Sequence, residues 1–400
     1  MGFALPLTTN TKKKIRLGFA GDLMLGGETL PYARERGLAL TYPFKDLVPT
    51  LRGLDMLLVN LEGPLFEDHA ARLPRPFILS NHPAVVDVLK LPRVCVCTLA
   101  NNHSMDYGAD ALFKTRKFLD RQGIRHLGAG RTSAEAEREL IVEHSGWRIG
   151  CLAFTATGPS LVPIIANARH AGCASLENKS ALLERVRRLK KRVDLAIVML
   201  HWGREFYEYP SPSQVRLAHE LIDAGADLIA GHHPHAIQPV EHYNGCVIAY
   251  SLGHLFMPPF RLSLDPKVGP AYPGARRNSR PATLDALGQT RPGIHGDGPV
   301  FYPRPASKEF MLLRVELPSR FPNTPGLVDT VAGVLDGHFR LRPYNRIALQ
   351  TFRSRLDDLA YPLSNGAYQK FWRHYRKWRQ HQLSTLLQSP LNVATNTTRH

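Results

Sequence analysis

Five short clusters of polar residues in the sequence have the side chains that bind metal ions or move protons. Each cluster follows a short apolar run; they lie at residues 21–22, 60–63, 101–106, 201–205 and 231–235. Imidazole nitrogens and carboxylate oxygens suit Zn, Mn and Fe, and none of the clusters contains a cysteine. The sequence therefore predicts a centre for one or two divalent metal ions.

Two histidines flank a proline in the last cluster. In an extended segment, the side chains of His233 and His235 share one side, so both imidazoles can reach one ion or two adjacent ions. His232 would then point away and serve a structural role. A pair of ions also needs a bridging carboxylate, and Glu62 is placed for that bridge.

Each cluster also has an ordinary structural explanation. Asp22 could cap a helix, Asn102 could belong to a turn, Asp106 could cap the helix that follows it, and His201 could be a satisfied polar residue. Each explanation accounts for one cluster only. A shared metal site accounts for all five, because each follows a predicted strand in order along the chain.

Short apolar runs alternate with helical patterns between residues 15 and 257, which is typical of layered α/β proteins. Predicted strands span residues 15–20, 55–60, 94–100, 147–154, 194–200, 227–230 and 247–252. Predicted helices span residues 83–90, 109–121, 176–191 and 213–224, the first with Asn81 as its cap. Ligands bind at the carboxyl ends of such strands, so we expect the five clusters to converge on one crevice.

Composition divides the rest of the chain. We predict a basic N-terminal tail at 1–14, a catalytic domain at 15–320 with a strand at 310–317, and a C-terminal extension at 321–400. A proline- and glycine-rich insertion at 258–307 is interpreted as a lid or as a partly disordered excursion. The extension closes with a helix at 368–387 that docks by its aromatic face, or that contacts a membrane surface or a protein partner.

The clusters resemble those of the CapA-type capsule-synthesis proteins, a branch of the calcineurin-like metallophosphoesterase superfamily. The segments that carry the resemblance are 21–26, 60–65, 100–108, 201–205, 231–235 and 250–253, and it spans residues 15–257 plus the strand at 310–317. It implies an α/β fold, a four-layer α-β-β-α sandwich of two mixed β-sheets with a helical C-terminal extension. It also implies a metal centre at one edge of the sandwich.

The resemblance further implies individual roles. The metal ligands would be Asp22, Glu62 in place of a bridging aspartate, Asn102, His201, His233 and His235. His103 would be the catalytic histidine, and a physical argument agrees: it could protonate a leaving group while Asp106 orients it. Glu62 is a further catalytic candidate.

Two residues depart from the family pattern. Met24 stands where phosphoesterases have a ligand histidine, so we expect one ion to bind tightly and a second weakly. His254 stands where CapA-type proteins usually have asparagine. It could add a ligand or hydrogen-bond donor near the site, or it could serve a structural role.

The charge balance points to an anionic partner. Lys and Arg number 51 against 34 Asp and Glu, a net charge of +17, while 44% hydrophobic residues exclude wholesale disorder. The basic run at 185–192 is interpreted as a solvated helix face, and we do not expect nucleic acid binding. Without an export signal or ~18 consecutive apolar residues, a cytoplasmic location is expected, with peripheral membrane association left open.

Three functions remain open. The first is a metal-dependent, hydrolase-like enzyme that acts on an anionic peptide, poly-γ-glutamate or a phosphoester, since the family is tied to poly-γ-glutamate capsule assembly. The second is a peptide-tailoring enzyme that hydrolyses or transfers an amide or epimerises an α-carbon. The third is a non-enzymatic assembly factor. We favour the first.

Overall fold

The computed structural model describes residues 12–27, 29–68, 70–73, 78–158, 162–258, 260–261, 291–292, 299–301, 308–318, 328–360, 368 and 373. Its strands are β1 Ile15–Leu23, β2 Met56–Leu61, β3 Val94–Thr98, β4 Arg125–Leu127, β5 Ala129–Gly130, β6 Leu140–His144, β7 Trp147–Thr155, β8 Gly172–Cys173, β9 Leu195–His201, β10 Leu228–His232, β11 Val240–Tyr243, β12 Cys246–Ala249, β13 His254–Phe256, β14 Phe260–Arg261, β15 Arg291–Pro292, β16 Pro299–Phe301, β17 Glu309–Leu317, β18 Val328–Leu335 and β19 Leu341–Pro343. Its α-helices are α1 Thr29–Glu35, α2 Val48–Arg52, α3 Val85–Leu89, α4 Gly108–Arg121, α5 Ser133–Ala136, α6 Lys179–Lys190, α7 Pro212–Asp223 and α8 Arg346–Ala360, and a 3-10 helix spans Tyr42–Leu47.

Two mixed sheets form the centre of the described chain. The larger has eight strands in the order β19-β18-β17-β13-β1-β2-β3-β4, and the smaller has six in the order β11-β12-β10-β9-β7-β6. In the larger sheet β1 runs parallel to β2 and β13 and antiparallel to β17. In the smaller sheet β7, β9, β10 and β12 run parallel, with antiparallel β6 and β11 at the two edges.

Alternating side chains place these sheets face to face. Ile15 and Phe19 of β1 pack in one buried cluster with Ile149 and Ala153 of β7, so this cluster lies between the sheets. Ala20 and other residues of the larger sheet pack with α2, α3 and α4 on its outer face. The opposite residues of the smaller sheet pack with α6 and α7. The expected four-layer α-β-β-α sandwich is therefore present.

The sequence patterns located the main elements to within a few residues. Strands β1, β9 and β10 extend beyond their predicted ends. Asp22, His201 and His232 therefore lie within these strands, at or next to the last residue. The expected cap at Asn81 is wrong. Helix α3 begins at Val85, and the residue before it, Ala84, provides no side-chain cap. The Asn81 side chain instead donates hydrogen bonds to the carbonyls of Glu62 and Gly63.

The larger sheet extends beyond residue 320. Strand β18 pairs antiparallel with β17, and β19 pairs with β18, so the sheet uses residues that the sequence assigned to the extension. Helix α8 then contacts β11 and β18, and its Phe352 and Leu356 belong to the inter-sheet core. The domain boundaries themselves stay predictions.

The basic tail at 1–14 and the insertion at 258–307 lie mostly outside the described residues. Within the insertion, β14, β16 and β15 form a small antiparallel sheet. The closing helix at 368–387 also lies outside them except for helical Tyr368 and Arg373; Tyr368 is buried, and its hydroxyl donates to the Pro210 carbonyl. Among the helices described, none is long and apolar enough to cross a membrane.

Candidate metal centre

The five polar clusters meet at one edge of the sandwich, at the carboxyl ends of strands from both sheets. Strands β1, β2 and β3 of the larger sheet lead to the first three clusters, and β9 and β10 of the smaller sheet lead to the last two. His232 joins the sheets, because its buried Nε2 lies 3.2 Å from the Ala20 carbonyl and donates to it. The structural role expected for His232 fits this contact.

One half of the centre lies at the end of β1. Asp22 is fully buried, and its Oδ2 lies 3.1 Å from His235 Nδ1. His254 Nε2 approaches the same His235 nitrogen at 2.8 Å. Asp22, His235 and His254 thus point one ligand atom each at a common volume, and those atoms all lie within 4.8 Å of one another.

The other half lies between β3 and β9. His201 Nε2 is 2.8 Å from Asn102 Oδ1, and the His201 and His233 rings lie 4.9 Å apart between centroids. Glu62 stands between the halves: its Oε1 is 3.8 Å from His201 Nε2 and 3.9 Å from His235 Nε2. This is the position that a bridging carboxylate would occupy.

Several of these buried atoms have no hydrogen-bond partner. Among the described residues, neither Glu62 carboxylate oxygen nor either His233 ring nitrogen makes a hydrogen bond. A buried carboxylate without a partner costs several kcal/mol unless a cation compensates it. The donor set of carboxylates, imidazoles and one amide oxygen suits a divalent cation such as Zn, Mn or Fe. The residues therefore fit the expected metal.

Burial and mutual charge set the protonation of this cluster. Burial and then the negative charge of Asp22 raise the pKa of Glu62 to about 8. Burial lowers the pKa of His235, but the carboxylates of Glu62 and Asp22 outweigh it and raise the pKa to about 9. Burial raises the pKa of Asp22, but its hydrogen bond to His235 and the charge of that ring hold the pKa below its usual range. A proton on His235 and a metal cation therefore compete for the same nitrogen and oxygen ligand atoms.

The two histidines of the other half are neutral. Burial and then the charge of His235 lower the pKa of His233 to about 3. Burial and the neighbouring His233 lower the pKa of His201 well below its usual value. Neutral imidazoles are the form that binds metal.

His103 and Asp106 form a pair beside the centre. His103 Nδ1 donates to Asp106 Oδ2 at 2.6 Å, and the backbone N–H of Leu79 donates to the same oxygen at 2.9 Å. Burial lowers the pKa of His103, but the Asp106 carboxylate outweighs burial and raises it. Asp106 does not cap α4, whose first turn has no side-chain cap. The ring is therefore held in one orientation, with Nε2 left to carry a proton.

Three asparagines that the sequence analysis did not assign to the site hold its loops. Asn60 Nδ2 donates to Asp22 Oδ1 at 2.8 Å, and Asn101 Nδ2 donates to Asn60 Oδ1 at 3.0 Å. Asn81 Nδ2 donates to the carbonyls of Glu62 and Gly63, and its Oδ1 accepts from Leu25 N–H. For Asn60 and Asn101 the only sequence signal was their position within the polar clusters, whereas Asn81 lies outside all five.

The prediction that His233 and His235 share one side of an extended segment was wrong, although the two rings do lie close together. The segment is not extended: His233 has φ 93° and His235 has φ 53°, both in the left-handed region that a histidine seldom adopts. Their ring centroids are nevertheless 5.7 Å apart. Such backbone costs about 1–3 kcal/mol per residue and recurs at functional sites.

A second group of ligand atoms contains a residue that the sequence noted but did not assign. Glu205 converges with His233 and His235 within 4.8 Å. By contrast, Met24 is buried in a small apolar cluster with Leu79 and Met257. Position 24 therefore provides packing at this edge of the sandwich.

The chain is similar to proteins of bacterial capsule synthesis. It is 30% identical over 246 residues to the PGA biosynthesis protein CapA of Bacillus subtilis, covering 59% of this chain and 61% of that one. It is 32% identical over 256 residues to the capsule biosynthesis protein CapA of Bacillus anthracis, covering 62% and 61%. It is 33% identical over 207 residues to a probable polyglutamine synthesis accessory protein of Mycobacterium tuberculosis, covering 50% and 54%. The matches span about three fifths or less of these relatives' lengths.

Comparison with solved structures found a novel phosphatase from Mycoplasma pneumoniae at TM-score 0.45 and 12% identity, covering 86% of this chain and 99% of that one. A putative 5'-nucleotidase from Staphylococcus aureus has the same score and identity, covering 86% and 58%. The model of the family described as bacterial capsule synthesis protein PGA_cap matches residues 16–258. That match includes all five clusters and more than half of the chain, and the chain belongs to this family.

Proposed function

We propose that the protein is a metal-dependent hydrolase that cleaves an amide bond in an anionic, polyglutamate-type substrate. The observation that carries the proposal is the buried donor set, above all the Glu62 carboxylate between two groups of histidines with no hydrogen bond of its own. We propose Asp22, Glu62, Asn102, His201, His233 and His235 as its metal ligands. When bound, a divalent cation supplies Lewis-acid polarisation of a carbonyl or phosphoryl oxygen.

His103 is proposed as the proton donor. Amide hydrolysis adds water across the C–N bond, and the departing amine nitrogen needs a proton. His103 Nδ1 is bonded to Asp106, so the proton available to a leaving group is at Nε2. Asp106 is a positioning residue, because it holds the ring and favours its protonated form.

Two arginines lie on segments whose backbone is hydrogen-bonded to the loops of the centre, and they support an anionic substrate. Arg72 precedes Leu73, whose N–H donates to the Asp106 carbonyl at 2.8 Å. Arg204 lies two residues before Phe206, whose N–H donates at 2.6 Å to Pro234 O, between the two histidines. Positive charge on these two segments favours carboxylate-rich substrates over neutral ones. The names of the relatives refer to PGA, capsule and polyglutamine synthesis, and we take a polymer of this type as the substrate class.

Turnover by the full chain, loaded with Mn²⁺ or Zn²⁺, tests the proposal. Release of amine from poly-γ-glutamate and of nitrophenol from p-nitrophenyl phosphate is followed for the wild type, His103→Gln and the control His242→Gln, whose histidine lies exposed on β11. We expect amine release, a 10²–10⁴-fold lower kcat for His103→Gln, and wild-type rates for the control.

Two other outcomes would change the proposal. Turnover of the phosphoester alone would keep the hydrolase and replace the substrate. Bound metal without turnover of either compound would favour the non-enzymatic assembly factor.

A further inference from the structure

His254 lies next to Asp22 across two paired strands. Strand β13 runs parallel to β1 with His254 opposite Asp22, and the Asp22 N–H donates to the Gly253 carbonyl at 2.9 Å. The approach is close because Gly21 has no side chain: a Cβ there would lie 2.0 Å from the Gly253 oxygen. The backbone therefore fixes the two side chains beside each other at the metal-centre edge.

The spacing of the three ligand atoms suits one cation. His254 Nε2 and His235 Nδ1 are 2.8 Å apart, and His235 Nδ1 and Asp22 Oδ2 are 3.1 Å apart. Two ligand atoms at about 2.1 Å from one ion are about 3.0 Å apart in octahedral coordination and about 3.4 Å apart in tetrahedral coordination. All three side chains are buried, His254 being 3% exposed, so little water competes for the position.

His254 of β13 supplies an imidazole nitrogen at a place where the loop after β1, residues 24–28, has no histidine. The buried Met24 side chain packs with Leu79 and Met257. Of the two further histidines on β10 and its loop, His232 contacts the Ala20 carbonyl and His233 faces His201. His254 is then the second imidazole at the Asp22 half.

We propose that His254 is a metal ligand and that Asp22, His235 and His254 together form one cation site, with Glu62 linking it to the other half. The inference rests on the proposed metal centre and adds a ligand to it. It predicts that the Asp22 half binds its ion through three protein side chains, and that removal of His254 weakens this half while the His201 half keeps its ligands.

Calorimetric titration of the chelator-treated full chain with Zn²⁺ tests the assignment without an assay of activity. We expect His254→Ala to weaken one binding event at least tenfold, and the control His242→Ala to match the wild type. Equal Zn²⁺ affinity and stoichiometry in His254→Ala and the wild type would overturn the assignment while leaving the metal centre intact. A wild type that binds no Zn²⁺ would overturn the centre and the assignment together.

Diffraction from wild-type crystals soaked in Zn²⁺ gives a second readout that does not depend on the folding of a variant. The anomalous signal should place an ion within about 2.3 Å of His254 Nε2. Ions bound only at the His201 half, with His254 outside ligand distance, would contradict the inference.

Discussion

Asp106 links His103 to the segment at residues 78–81. One carboxylate oxygen accepts from Leu79 N–H at 2.9 Å and from His103 Nδ1 at 2.6 Å. The residue is fully buried, so both hydrogen bonds form in a region of low dielectric. The pairing of Asp106 with His103 could be predicted, because Asp106 follows His103 by three residues. Its hydrogen bond to Leu79 could not be predicted, because that contact depends on how residues 78–81 pack against the site.

Asp106→Asn keeps the size of the side chain and removes its charge. We expect kcat to fall about 10- to 100-fold, because His103 loses the carboxylate that favours its protonated form, while KM and the metal content stay at wild-type values. Steady-state kinetics on the metal-loaded enzyme, with metal analysis of the same sample, check this. A rise in KM or a loss of metal with unchanged kcat would assign Asp106 to substrate or metal binding.

Among individual residues, the sequence identified the donor types but not every contact. The six proposed ligands do lie together, because they lie at or just after the carboxyl ends of strands that meet at one edge. Asn60 and Asn101 could not be assigned, since their hydrogen bonds to Asp22 and to each other cross between strands. The left-handed backbone of His233 and His235 was equally hidden, because tertiary contacts impose it.

At the scale of elements, glycines let the strands and loops at the metal-centre edge approach each other. Gly231, in β10, comes directly before His232, and a Cβ there would lie 1.9 Å from the Tyr250 carbonyl oxygen and 2.8 Å from Trp202 Nε1. The first neighbour is backbone and cannot move aside as the end of a side chain can. The position therefore requires glycine for packing, although its φ is ordinary.

Gly231→Ala should lower the free energy of unfolding by about 1–3 kcal/mol or more, since the added methyl group forces backbone apart in a packed region. The matched control is Gly158→Ala, where a Cβ meets no atom of the described residues within 4 Å. Urea denaturation of both variants measures the difference. Equal midpoints for Gly231→Ala, Gly158→Ala and the wild type would mean that the strands at this edge tolerate separation.

The long helices and strands could be predicted from the pattern of apolar residues in the sequence, and the short ones could not. Strand β9 up to His201 and strand β7 from Ile149 to Phe154 are continuous apolar runs, buried on both faces between the other sheet and the helices. Strands β4, β11, β13 and β19 have three or four residues, too few to establish a period. Helix α8 lay in a region of mixed pattern, and its packing across β11 and β18 gives it its buried face.

At the scale of the whole molecule, the proposed metal centre depends on the joining of two sheets. The larger sheet contributes Asp22, Glu62 and Asn102, and the smaller contributes His201, His233 and His235. Neither sheet alone holds both carboxylates and the histidine pair. The resemblance implied this arrangement, whereas periodicity alone could not have separated one large sheet from two.

The positive net charge belongs to this scale too. It is the excess of lysine and arginine over acidic residues. Some of the basic residues form surface ion pairs, such as Arg185 with Glu137 and Lys179 with Glu220, and several basic residues of α6 are paired in this way. Exposed pairs of this kind contribute little stability, roughly 0–1 kcal/mol each. Their paired state agrees with a solvated helix face, and the expectation that this face binds no nucleic acid stays a prediction.

Thermal unfolding of the full chain with and without Zn²⁺ or Mn²⁺ tests the metal centre most directly. A cation that binds only the folded chain stabilises it by about 2.7 kcal/mol at a concentration 100 times its Kd. We predict a metal-dependent rise in Tm for the wild type and for Glu143→Gln, whose carboxylate is exposed on β6, and none or much less for Glu62→Gln. Equal metal-dependent shifts in all three proteins, or no shift in the wild type, would contradict the account.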